Sequence, residues 1–332
     1  MKPIGVALLG FGNVGRAFAR YLRQSTANSG FNLTIRAVAD SSGGLLLDNP
    51  NLLSDVIARK ESGLKLRQFA PQHATDLSTF IDSLPTWGIQ VAVESLPTNL
   101  KDGQPALDLI NAALFQGTHV VTVDKGPLVH GFETLRTTSL LCGANLAYNG
   151  TMGVKPPTEI AGDPILEIAG VLNGTTNHIL TEMLERALPF SESLSAAQAE
   201  GIVEPDPSLD IQGWDTACKI VILASSVMGA KTTLAEVTRV GIGSVTEALI
   251  ANARAYGKVV RLIGRARTLG GAIRLSVGPE MVGPDSPFYS VRGTSKAALF
   301  QAEKRGELLS MSLSSMDSIC KTILEDLRSV IN

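Results

Sequence analysis

The chain has 332 residues, with 29 Lys and Arg against 31 Asp and Glu and a formal net charge of −2. That length predicts about two domains with a sizeable core, and the near-neutral balance leaves no footprint for nucleic acid or an anionic membrane surface. Cys142, Cys218 and Cys320 stand far apart without C-x-x-C spacing, so neither a disulfide framework nor a structural zinc site is expected. No run approaches a membrane span, and Met1-Lys2-Pro3 leads into a strand pattern instead of a signal peptide, which points to the cytoplasm. His73, His119, His130 and His178 are scattered away from other ligand types, so no metal is expected.

The first third has α/β rhythm. Apolar runs at Ile4–Leu9 and Leu33–Ala39 flank a helical pattern from Val14 to Leu22, and the first joint reads Gly10-Phe11-Gly12-Asn13-Val14-Gly15. G-x-G-x-x-G alone is weak evidence. Here it follows a strand, opens a helix and precedes a strand ending at Asp40, which is the context of a Rossmann-type dinucleotide site. Gly10 permits the turn, Gly12 lets backbone approach a pyrophosphate, and Gly15 lets helix and strand close on each other. Asp40, followed by Ser41, is placed to take the ribose 2′-OH, which points to NAD over NADP; Arg59 and Lys60 read as a solvated helix face. Gln90–Glu94 and His119–Val123 continue a parallel sheet around a helix over Gln104–Phe115, with Ser95, Leu96 and Lys125 at the strand ends where such sheets bind ligands.

From about residue 131 the pattern becomes mixed α+β. Strands are predicted at Ala144–Ala147 and Ile165–Leu172, a helix capped by Thr175 or Thr176, a hairpin of Arg261–Ala266 and Ile273–Val277 around Gly270-Gly271, and a closing helix over Ser315–Ile331. The predicted organisation is a doubly wound parallel sheet in 1–130, completed by the C-terminal helix in 305–332, and a substrate-binding and dimerisation domain in 131–304.

The most informative segment is A-Q-A-E-G-I-V-E-P-D-P-S-L-D-I-Q-G-W-D-T-A-C-K, residues 197–219. Pro205 and Pro207 predict a shaped loop carrying Glu204 to Asp210, and Gly213 releases the chain into a helix with Asp215 and Lys219 on one face. An Asp–Lys pair at this spacing is most often a solvated surface pair. Lys219, however, runs directly into Ile220-Val221-Ile222-Leu223, so burial is expected, and a buried lysine is costly without a task. Carboxylates beside such a lysine suit a site that binds an ammonium and moves a proton.

Those residues resemble homoserine dehydrogenases over nearly the whole chain. The resemblance is carried by the run from Ala197 to Lys219, by A-L-F-Q-G-T-H-V-V-T-V-D-K-G-P-L ending at Leu128, by the N-terminal glycines and by G-V-L-N-G-T-T-N-H-I-L from Gly170. It implies NAD(P)-dependent interconversion of L-homoserine and L-aspartate 4-semialdehyde by a homodimer in the short form of the family, without kinase or regulatory domain. It also implies Lys219 as the proton-transferring lysine with Asp215 beside it, and Lys125 as a second active-site lysine. Glu204, Asp210, Gly174 and Thr175 fall at the substrate, and Gly10 to Gly15, Asp40, Ser41, Ser95, Leu96 and Lys125 at the cofactor.

Four departures stand out. Y-N-G-T-M-G-V-K-P-P from Tyr148 puts Lys155 near the place where relatives hold a monovalent cation, which speaks against the ion here. M-S-L-S-S-M-D from Met311 lacks the usual glycines over the cofactor, Asp124 replaces an Asn, and Leu96 replaces a Thr. Two other functions stay open: a dehydrogenase of the same fold acting on another small amino or hydroxy acid, and a non-catalytic nucleotide-binding paralogue.

Overall fold

The computed structural model describes residues 3–25, 32–49, 51–69, 74–203 and 206–331. In chain order the elements are β1 (Ile4–Leu9), α1 (Asn13–Ser25), β2 (Leu33–Asp40), β3 (Gly43–Leu46), α2 (Leu52–Glu61), α3 (Leu66–Phe69), α4 (Leu77–Ser83), β4 (Ile89–Glu94), α5 (Ala106–Phe115), β5 (His119–Thr122), α6 (Gly126–Cys142), β6 (Leu146–Ala147) and α7 (Asn149–Met152). There follow β7 (Ile165–Val171), α8 (Gly174–Arg186), α9 (Phe190–Ala199), α10 (Ser208–Ile211), α11 (Trp214–Met228), β8 (Thr238–Arg239), α12 (Glu247–Ala255), β9 (Val259–Leu269), β10 (Ala272–Val282), β11 (Ser295–Ala302), β12 (Gly306–Leu313) and α13 (Met316–Ile331). They form two compact units, Met1–Thr151 with Ser315–Asn332, and Met152–Ser314.

The first unit is built on a six-stranded sheet in the order β3-β2-β1-β4-β5-β6. β1 pairs parallel with β2 and β4, β4 with β5 and β5 with β6, as expected of a doubly wound sheet. β1 and β4 are apolar almost throughout because both faces of such a sheet are covered. The edge strand β3 departs from the all-parallel expectation. Only Ser41 and Ser42 link Asp40 to Gly43, too few for a crossover, so the chain turns back and pairs antiparallel, with Gly43 at φ +137°. α1 buries Gly15, Phe18, Ala19 and Leu22, a helical stripe that reads directly from their spacing. α13 buries Cys320, Ile323, Leu324, Leu327 and Val330 in the same core and packs on α1, β5 and β6.

The strand predicted at Ala144–Ala147 belongs to this unit and not to the second: β6 pairs with β5 through Val120–Leu146 and Val121–Ala147. The seam therefore lies at 151/152 instead of 130/131. At the other end it lies at 314/315 instead of 304/305, because β12 pairs with β11 from Ala302–Gly306 to Ser295–Leu313. Met311 to Leu313 is thus strand, not a turn, and the alternation of Leu309, Met311 and Leu313 was its signal.

The second unit is a six-stranded sheet in the order β12-β11-β7-β9-β10-β8, antiparallel except where β8 joins β10. The β9–β10 hairpin turns at Gly270 (φ +57°) and Gly271 (φ +81°), the left-handed pair that a two-residue hairpin favours. α11 packs against β7, β9 and β10, where Gly264 leaves only enough room for the Thr216 methyl. Arg261 on β9 is fully buried and donates to the carbonyls of Val260, Phe288 and Tyr289; burial, then the nearby Arg292, lowers it to about 10.

Candidate active site

The charged segment of the second unit folds around the end of β7. Gly213, at φ +81°, starts α11, and the helix carries Asp215 and Lys219 one turn apart on its buried face, 9% and 6% exposed. Lys219 Nζ donates to Asp215 Oδ2 at 2.6 Å and to the carbonyl of Leu172 at 2.8 Å. The surface-pair alternative is therefore excluded: this is a lysine taken out of water and held by two oxygens.

Asp210 joins the cluster from α10. The two prolines were expected to exclude regular helix through Asp210, yet Ser208–Ile211 is one helical turn. Pro207 sits at its N-cap, where no N–H is needed, and Asp206 accepts from the Ser208 amide, so proline opens the turn instead of breaking it. Burial, then the charge of Asp215, raises Asp210 above the ordinary carboxylate range; Asn173, Lys219 and Thr175 oppose the rise. Gly174 and Thr175 begin α8 beside it. A Cβ at Gly174 would lie 2.9 Å from the Thr294 carbonyl and from the Ser314 hydroxyl, which explains glycine there. The cap of α8 is Asn173, whose side chain accepts from Thr176 N, not Thr175 or Thr176. Glu204 lies outside the described residues.

Asn173 was missed by the sequence reading. Its Nδ2 donates to Asp210 Oδ1 at 2.7 Å and Asp215 Oδ2 at 2.8 Å, so one buried carboxamide bridges both acids. An Asn immediately before a predicted helix was the available signal for its cap; nothing local announced the acids.

In the first unit the glycine joint has the expected steric logic. Gly10 has φ +107° and lies against Ser95 backbone; a Cβ on Gly15 would collide with the Gly10 carbonyl. Gly12 is exposed, and a Cβ there meets no protein atom within 4 Å, so packing does not account for this glycine. With the α1 N-terminus behind it, that opening fits a pyrophosphate. Asn13 is exposed and Val14 half-buried, whereas the Phe11 side chain is wholly in the core and offers only backbone. Arg16 was also missed: it donates to the Phe11 carbonyl and to Asn13 Oδ1, putting a cation on the joint.

At the end of β2, Asp40 is not a bare carboxylate. Its Oδ1 accepts from Ser42 N and Oγ, and its Oδ2 from Leu66 N and Lys60, which ion-pairs with it. Burial pushes its pKa up, but these partners outweigh burial and hold it below the usual range. Lys60 is thus no solvated residue, and Arg59 lies over the Phe69 ring. Ser41 is exposed.

At the ends of β4 and β5, Ser95 Oγ donates to the Gly10 carbonyl and Leu96 N to Glu94 Oε1. Glu94 is fully buried and also accepts from Thr122 Oγ1 at 2.5 Å; burial, then Asp124, raises it to about 8. Asp124 is raised by burial, opposed by Thr98, the Gly126 amide and Lys125. Lys125 is half-buried at the N-cap of α6. In the divergent segment after Tyr148, Asp326 of α13 accepts from the Asn149 amide and Nδ2 and from Gly150 N. Lys155 is exposed on the second unit. Among the described residues no cluster of three His, Cys, Asp or Glu offers a metal site.

Residues 157–322 match the family model for homoserine dehydrogenase. The chain is 35% identical to a homoserine dehydrogenase of Methanocaldococcus jannaschii, covering 92% of this chain and 91% of that protein. It is 34% identical to an NAD(+)-dependent homoserine dehydrogenase of Pseudomonas canavaninivorans, covering 92% and 90%. The crystal structure of a candidate homoserine dehydrogenase from Archaeoglobus fulgidus matches at a TM-score of 0.85 and 28% identity, over 98% of this chain and 99% of that one. With its glycine joint on a parallel sheet and its buried lysine among carboxylates, the chain belongs to the homoserine dehydrogenase family of NAD(P)-dependent oxidoreductases.

Proposed function

We propose that this chain interconverts L-homoserine and L-aspartate 4-semialdehyde, a step of threonine and methionine biosynthesis. The observation that carries the reading is Lys219, buried and held by Asp215 and the Leu172 carbonyl at hydrogen-bond distance. In oxidation the hydroxyl proton of homoserine must leave as the carbonyl forms, and in reduction a proton must reach the growing alkoxide. Lys219 is the group to carry it, with Asp215 steadying its charge. Asp210 with Glu204 holds the α-ammonium of the substrate, bordered by Gly174 and Thr175, and Lys125 is the second lysine of the reaction. A bound nicotinamide supplies or accepts the hydride.

The first unit is the cofactor unit. Gly10 to Gly15 with the α1 N-terminus hold the pyrophosphate, Asp40 and Ser41 lie at the ribose, and Ser95, Leu96 and Lys125 toward the nicotinamide. The argument from Asp40 to NAD assumed an unpaired carboxylate that repels a 2′-phosphate. Pairing with Lys60 cancels much of that repulsion, so we assign both NAD and NADP as cofactors and make the Asp40–Lys60 pair the element that sets their ratio. No monovalent cation is assigned to the segment around Lys155.

The second unit also carries the dimer surface we propose, where Leu309, Met311 and Leu313 of the edge strand β12 are exposed together. Among the described residues no helix is long and apolar enough to cross a membrane, and a cytoplasmic setting suits the buried thiols of Cys218 and Cys320.

The test is direct: purified protein, L-homoserine or aspartate semialdehyde, and each cofactor, followed at the nicotinamide absorbance. Turnover supports the reading. Cofactor binding without turnover of either substrate overturns it in favour of the non-catalytic alternative, and turnover of a different hydroxy acid alone overturns the substrate.

A further inference from the structure

Asn173 sits where β7 ends and α8 begins, and it is 6% exposed. Its orientation is fixed by chemistry. Oδ1 accepts from Thr176 N at 2.7 Å, and a backbone N–H can only donate. The amide nitrogen must therefore face the acids, and each of its two hydrogens has one acceptor: Asp210 Oδ1 at 2.7 Å and Asp215 Oδ2 at 2.8 Å. Asp215 Oδ2 also takes the Lys219 hydrogen bond, while Leu172, the residue before Asn173, accepts from Lys219 through its carbonyl. Two consecutive residues thus hold the lysine and both acids.

We infer that Asn173 is a positioning residue, whose carboxamide clamps Asp210 and Asp215 side by side so that one faces an ammonium ligand while the other holds Lys219. This rests on the substrate reading above and assigns a residue with no expected role. The reason for a clamp is electrostatic. Among the described residues, the charged groups acting on Asp210 are Asp215 and Lys219 of α11, with the uncharged Asn173 and Thr175 from the start of α8; Arg239 of β8 lies over the Trp214 ring. Burial and Asp215 both favour the neutral form of Asp210, and the Asn173 hydrogen bond works against them. Without it, Asp210 takes up its proton at a higher pH, and a neutral acid does not hold an ammonium.

Asn173→Ser separates this role from helix capping. Serine is a good N-cap and can still accept from Thr176 N, but it is too short to reach two carboxylates and lacks the paired donors. The expected result is a protein that still unfolds cooperatively, with a midpoint lower by only about 2 to 6 °C, and with kcat/KM for homoserine lower by roughly 10- to 100-fold near neutrality. The acid limb of the profile should move up by about one pH unit, and the deficit should narrow as pH rises. In Asn173→Asp the cap also survives but a third carboxylate enters, so its loss should exceed that of serine and ease toward acid pH. Carboxyl 13C titration of Asp210 in both proteins gives a readout independent of turnover, and its midpoint should rise in the serine variant. An unshifted acid limb together with an unshifted Asp210 midpoint overturns the inference, whatever the loss of rate. A parent protein that turns over neither substrate overturns the functional reading instead, leaving the carboxyl titration to decide the clamp.

Discussion

Each unit holds a pair of neighbouring carboxylates drawn out of water, Asp210 half-buried and Glu94, Asp124 and Asp215 buried, and the two pairs meet the same difficulty in opposite ways. Glu94 and Asp124 in the first unit answer it with a proton: Glu94 accepts two hydrogen bonds, yet burial and its neighbour keep it protonated up to about pH 8. Asp210 and Asp215 in the second unit are given donors, an ammonium from Lys219 and both hydrogens of Asn173. A protonated pair can brace strand ends but cannot hold a cation, whereas a donor-supplied pair can keep charge for a ligand. Asp40 is a third case, buried and supplied by Lys60, Ser42 and Leu66, and its pKa falls. Burial is common to all three; the partners decide the outcome.

Removing the donor from the second pair should have the largest effect. Lys219→Ala is expected to lower kcat by about 10²- to 10⁴-fold, the usual range for a lost proton-transfer group, with the cofactor dissociation constant within about twofold of the parent. Near-normal turnover in stopped-flow assays would remove Lys219 from the chemistry.

The first pair is tested through stability. The folded-state pKa of Glu94 lies above its ordinary value of 4.5, so its contribution is fully present below pH 4.5 and is lost as pH rises through about 8. Glu94→Gln, which keeps the shape without the charge, should flatten the fall in melting temperature between those limits and leave the protein more stable than the parent at pH 8. An unchanged slope by calorimetry would mean that Glu94 ionises normally.

The Asp40–Lys60 pair offers a smaller effect in a different currency of measurement. Lys60→Ala leaves the carboxylate without its cation and should move the ratio of kcat/KM toward NAD over NADP by about tenfold. A ratio that stays put would show that neither side chain reads the ribose. Smallest of all, Asp124→Asn should lower the Glu94 titration midpoint while changing kcat only a few-fold. Carboxyl 13C titration of Glu94 checks it, and a midpoint still near pH 8 would assign the whole shift to burial.

Much of this was legible in the sequence because it is local. The glycine joint, the alternation of the β9–β10 hairpin and the four-residue spacing of Asp215 and Lys219 each sit within one turn or one strand, where geometry follows from order along the chain. What escaped were partnerships made by tertiary packing: Asn173 with Asp210, 37 residues away; Thr122 with Glu94, 28 away; and Lys60 with Asp40, 20 away. Lys60 was misread for this reason, since on a bare helix its place looks solvated. The seams were misplaced for a related one. Short strands such as β6 take their sheet from a partner, and Leu146–Ala147 carries too little pattern to name it.

Because α13 buries its apolar stripe in the core of the first unit, that unit is not finished when its sheet has been synthesised. A nascent chain that has emerged as far as Ser314 has all of Met152–Ser314, yet α1, β5 and β6 still lack the helix that covers them. On the ribosome, the unit that is begun first is therefore the one completed last, and the second unit can close while its predecessor waits with an open apolar flank.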